Sequence, residues 1–156
     1  YRGGDLIYIN DLNMVGEVVS IGLRSTRILS PDNREVIVPN SLISMNQVVN
    51  YSQPDPSLRE QIDFLVYGND FDQLQQLIGE TVRGVEGILL EKPVDVIYLS
   101  FAGTTMEIRV RWWIKNMDNQ FEVRTRVHVA LKQALQQAGV DTPDLSFDFN
   151  VNKDGT

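Results

Sequence analysis

Apolar positions in the first fifty or so residues fall in short runs separated by turn-forming clusters, and after residue 57 they lengthen and alternate between two periods. Leu6 to Ile9 predicts a short strand, entered through Gly3-Gly4 and left through Asn10-Asp11-Leu12-Asn13. Val15 to Ile21 predicts a second, in which Gly16 marks a bend or a close backbone approach. Leu23 to Leu29 and Arg34 to Val38 flank Ser30-Pro31-Asp32-Asn33 and read as a β-hairpin. Pro31 suits the first corner of a type I turn, and Asp32-Asn33 favour the bend that follows. Pro39 has no N–H to give a ladder, so the strand should stop there. Asn40 then stands where a helix N-cap belongs, ahead of one short turn at Ser41 to Ser44. Gln47 to Asn50 supplies a fifth strand. Short strands in this number, with little helix, predict a small, strongly bent, Sm-like β-barrel. A unit of that size buries only ~60% of the surface its unfolded chain exposes. Its open edges need a partner, and a copy of itself is the simplest one.

Gln53-Pro54-Asp55-Pro56-Ser57 reads as a linker, extended and semi-rigid because of its two prolines. Beyond it Ile62, Phe64 and Val66 alternate as a strand. Asn69-Asp70 can cap a helix whose stripe is Phe71, Leu74, Leu77, Ile78, Thr81, Val82 and Val85, with Gly84 or Gly87 to end it. Val94 to Phe101 is a second strand. A third puts Met106, Ile108, Val110, Trp112 and Ile114 on one face. Asn119 can cap a second helix carrying Val123, Val127, Ala130, Leu131, Ala134, Leu135 and Ala138, and Gly139 suits its C-terminal end. A last strand has Leu145, Phe147, Phe149 and Val151 inward. The order βαββαβ is that of a ferredoxin-like fold. The fold class is therefore α+β. It divides into an Sm-like β domain at 1–52, a linker at 53–57, a ferredoxin-like domain at 58–152 and a tail at 153–156.

The residues of the first half also carry a resemblance. Arg2-Gly3-Gly4-Asp5-Leu6-Ile7, Gly16-Glu17-Val18, Leu23-Arg24-Ser25-Thr26-Arg27-Ile28, Ile37-Val38-Pro39-Asn40 and Asn50-Tyr51-Ser52 follow one another as in the cytoplasmic region of small-conductance mechanosensitive channels. The later elements resemble that family's lower domain by their order. The resemblance implies a homo-oligomer, heptameric in the family, that forms a water-filled vestibule on the cytoplasmic side of a cell membrane. Membrane tension would open a pore built by helices upstream of Tyr1, and ions and small osmolytes would pass down their gradients, giving osmotic protection. The same resemblance marks Gly4, Asp5, Gly16, Arg24, Thr26, Pro39 and Asn40 as architectural. A rival expectation is a stand-alone Sm-like plus ferredoxin-like module that binds a ligand or protein.

Composition narrows the chemistry. With no cysteine and one histidine in 156 residues, disulfides, thiolate catalysis, sulfur-bound zinc and His-rich metal sites are all excluded, and no cofactor is expected. The net charge of −7 argues against a nucleic-acid partner, since a phosphate backbone needs clustered Lys and Arg. Residues 1–52 hold 4 Lys+Arg against 5 Asp+Glu and residues 53–156 hold 10 against 16, so the acidity belongs to the second part. Asp70 and Asp72 are candidates for charge lining a vestibule, or they serve the helix dipole. No apolar run approaches the ~20 residues of a membrane helix, and no basic-then-apolar leader opens the chain. Tyr1 opens almost directly onto a strand, as a piece cut from a longer chain would.

Few residues suggest catalysis. His128 has neither nucleophile nor second ligand in evidence and reads as structural or half-exposed. Glu107, Arg109, Arg111 and Trp113 alternate on the outer face of the third strand, where a solvated or subunit-facing surface is expected. Arg24 and Arg27 read as partners for carboxylates of a neighbouring strand or subunit. An acylphosphatase-like enzyme would need a cation in the loop after the first strand of its fold, and Tyr67-Gly68-Asn69-Asp70 offers a carboxylate. The expectation is a protein that is not an enzyme.

Overall fold

A computed structural model describes residues 1–143, and the strand predicted over Leu145 to Val151 lies outside the described residues. The chain divides into two compact units, Tyr1–Leu58 and Arg59–Thr156. Both are mixed α+β structures built on antiparallel strand pairing.

The first unit contains β1 (Leu6–Ile9), β2 (Met14–Ile21), β3 (Ser25–Leu29), β4 (Glu35–Pro39), a single-turn helix α1 (Asn40–Ser44) and β5 (Val48–Asn50). They form one five-stranded sheet in the order β4-β3-β2-β1-β5. Neighbours in sequence pair as hairpins, and β5 returns to the free side of β1, with Ile7 opposite Asn50 and Ile9 opposite Val48. Because side chains alternate across a strand, one face gathers Ile7, Ile9, Val18, Ile28 and Val38, and Ile43 of α1 completes the core. The β3–β4 turn forms as its residues dictate. The Asn33 N–H donates to the Ser30 carbonyl at 3.0 Å across the Pro31-Asp32 corner, and Asn33 takes a left-handed φ of 64°.

The stretch after β5 is not extended. Asn50 Oδ1 accepts from the Ser52 and Gln53 N–H groups at 2.9 and 3.2 Å, and this side-chain turn bends residues 51–54.

In the second unit β6 (Leu58–Tyr67), α2 (Phe71–Arg83), β7 (Asp95–Ala102), β8 (Thr105–Ile114) and α3 (Gln120–Gln137) give a three-stranded sheet ordered β6-β8-β7 with two helices that pack on each other. Strand β8 alternates without a break: Met106, Ile108, Val110, Trp112 and Ile114 are buried and the residues between them are half-buried. Leu74, Ile78 and Val82 of α2 and Val123, Val127, Leu131 and Leu135 of α3 supply the buried helical stripes. Asp70 caps α2, its carboxylate accepting from the Gln73 N–H at 3.2 Å. Asn119 occupies the N-cap of α3 without a side-chain capping bond. At the other end of α3 Gly139 has a φ of 73°. The Gly139 and Val140 N–H groups close back on the Gln136 and Leu135 carbonyls, which makes a Schellman termination. No described helix is long and apolar enough to cross a membrane.

Candidate functional site

The residues that carry the sequence resemblance fall into two side-chain clamps and one close strand approach, all within the first unit. At the start of β1, Gly4 adopts a φ of 90°, in the region that glycine enters without a Cβ penalty. Its N–H donates to the Val18 carbonyl at 2.7 Å, and the Asp5 carbonyl accepts from the Val18 N–H at 2.8 Å. Asp5 is 4% exposed, yet its carboxylate is satisfied. Asn50 Nδ2 donates to it at 2.9 Å and the Arg2 N–H at 3.0 Å. The Asn50 bond, helped by Arg2 and Gln53, holds the Asp5 carboxyl below the ordinary carboxylate range against the opposing effect of burial. Ser52 adds its hydroxyl as acceptor for the Leu6 N–H at 2.9 Å, and Tyr51 N–H donates to the Leu6 carbonyl at 2.8 Å. Asp5 and Asn50-Tyr51-Ser52, which are 45 residues apart, thereby fasten the two ends of the unit together.

The second clamp centres on Asn40, and here the expected N-cap is corrected. Pro39 occupies the cap position, no side-chain cap bond forms, and Asn40 is the first helical residue. Its amide looks back across the sheet instead. Thr26 Oγ1 donates to Asn40 Oδ1 at 2.7 Å, and Asn40 Nδ2 donates to the Gly22 carbonyl at 2.9 Å. The Asn40 N–H also bonds the Arg24 carbonyl at 2.9 Å, so Arg24 contributes through its backbone while its side chain is exposed. Thr26 is fully buried, and a buried hydroxyl needs a partner, which explains why the amide turns inward. Pro39 ends β4 opposite Ser25, as its missing N–H requires.

Gly16 is the close approach. A Cβ there would stand 2.4 Å from Ile28 Cγ2 and 2.7 Å from the Leu29 carbonyl oxygen. Arg27 pairs with Glu35 on the adjacent strand, through Nε at 3.0 Å and Nη2 at 2.6 Å.

In the second unit the outer residues of β8 are already partnered. Arg109 makes a two-point bond to Asp63, both contacts at 2.9 Å. Arg111 Nη2 reaches Asp95 at 3.0 Å, Glu107 accepts from the Ser100 hydroxyl at 2.8 Å, and Lys92 Nζ lies 4.1 Å from the centre of the Trp113 ring. Arg109 holds the Asp63 carboxyl below its usual range. Asp70 and Asp72 are both exposed at the start of α2. Asp72 flanks a polar groove shared with Gln75, Gly79, Glu80, Arg83 and Val96, whereas Asp70 is engaged as the cap. His128 is exposed on α3. Among the described residues no three His, Asp or Glu side chains converge as metal ligands would. Glu60 is a buried acid on the face that Ile62, Phe64 and Val66 share, a position where strand alternation leads one to expect an apolar residue. It accepts from Gln120 Nε2 and, at 2.6 Å, from Arg124 Nη2, tying β6 to the first turn of α3.

Two family models match the chain in succession: the β-domain of the mechanosensitive ion channel over residues 1–53, and the C-terminal region of the mechanosensitive ion channel MscS over residues 65–142. The chain belongs to the mechanosensitive ion channel family. An uncharacterized MscS family protein of Buchnera aphidicola is 26% identical over 153 residues, covering 98% of this chain and 53% of its own length. A small-conductance mechanosensitive channel of Helicobacter pylori is 23% identical over 157 residues, covering 100% of this chain and 57% of its own. The chain thus spans about half the length of these MscS relatives. The crystal structure of Helicobacter pylori MscS in the closed state superposes with a TM-score of 0.79 at 23% identity, over 92% of this chain and 56% of that one. The two chains share this fold over that stretch.

Proposed function

We propose that this chain is the vestibule region of a tension-gated channel, an Sm-like β domain followed by a ferredoxin-like domain, on the cytoplasmic side of a cell membrane. The observation that carries this reading is the succession of the two family matches, in order, along nearly the whole chain. The role is passive and not enzymatic. Copies of the chain assemble as a ring, seven by family resemblance, anchored through membrane helices that this chain does not include. Ions and small osmolytes pass through the vestibule, and no cofactor takes part. The clamps at Asp5 and Asn40 keep the first unit rigid, as a base beneath a pore must be.

Acidity of the second unit biases the wall toward cations. The Arg and Asp residues of the β8 face are paired with each other, so uncompensated charge is better sought at exposed carboxylates such as Asp72. At 0.15 M salt the Debye length is ~8 Å, so only carboxylates at narrow openings act, and the bias is small. Light scattering of the purified full-length protein tests the assembly. A mass of several subunits, seven in the family's pattern, supports the ring, and a monomer at all concentrations overturns it. Reversal potentials at low and high salt, with Asp72→Asn beside the parent, test the bias. An unchanged preference at low salt removes Asp72 from the account.

A further inference from the structure

We draw no further inference here: the strongest candidate, the apolar groove of about 230 Å³ between β6 and α3 lined by Ile62, Phe64, Leu131 and Leu135 with His128 and Lys132, is an unpartnered apolar face, and nothing in the structure shows what covers it.

Discussion

Replacing Asn40 separates a cap from a clamp, because the two roles rank the same substitutions differently. If Asn40 capped α1, aspartate would serve nearly as well as asparagine, and alanine would cost about 0.5–2 kcal/mol. The observed geometry predicts otherwise. Asn40→Ala removes the bond to the Gly22 carbonyl, worth about 0.5–1.5 kcal/mol net. It also strands the hydroxyl of Thr26, which is 0% exposed, at about 1–3 kcal/mol. Together these give about 1.5–4.5 kcal/mol, a large part of what a small domain has to lose. Asn40→Asp keeps an acceptor for Thr26 but sets a carboxylate against the Gly22 carbonyl in place of an N–H donor. It should therefore fall well below the parent in stability. Thr26→Val in the Asn40→Ala background should recover part of the loss, since it removes the orphaned hydroxyl. Both tryptophans, Trp112 and Trp113, lie in the second unit, so their fluorescence does not report on this site. Amide hydrogen exchange across β2 to β4 does. Asn40→Asp exchanging as slowly as the parent would refute the clamp and restore the cap.

Three further outcomes follow from the same geometry. Gly16→Ala should cost about 1–3 kcal/mol or more, because its Cβ meets Ile28 Cγ2 at 2.4 Å and a backbone oxygen at 2.7 Å; a denaturation midpoint within error of the parent would contradict the close approach. Asp5 has a folded pKa below its unfolded value of about 3.9, so its contribution is fully present above that value and lost as pH falls through the folded pKa. Melts of the parent and Asp5→Asn should accordingly converge as pH drops below about 4, and a constant gap between them down to strongly acid pH would refute this. The Arg109–Asp63 pair is about one-third exposed on each side, so a double-mutant cycle should return only about 0.2–1 kcal/mol, shrinking in high salt; a salt-independent coupling would show the pair to be desolvated.

What could be read from the residues follows the range over which each residue acts. Strand β8 is fully legible, since five apolar side chains at a period of two need only their immediate neighbours to be placed. The same holds for the Ser30–Asn33 turn and for the Gly139 termination, where local backbone chemistry decides. Asn40 misleads because its sequence setting, after a proline and before a short helix, is that of a cap. Its real partners, Gly22 and Thr26, are 18 and 14 residues away and come near only through the register of β3 on β4. Asp5 and Asn50 lie further apart still, joined because β1 runs between β2 and β5. Their motifs can be quoted as separate pieces of sequence, but no local rule says that one fastens the other. The partners of Glu60 escape for a related reason, since its amide donor and its cation, Gln120 and Arg124, come from α3, 60 and 64 residues on.

The proposed role, as part of a pore opened by membrane tension, has an electrical readout. A pressure ramp on an excised patch holding the full-length protein tests it most directly, in cells stripped of their own tension-gated channels. Stepwise currents should appear at a reproducible tension and shift in threshold or open lifetime when Asn40→Ala loosens the first unit. Patches that carry the protein and stay silent up to the lytic tension would contradict it.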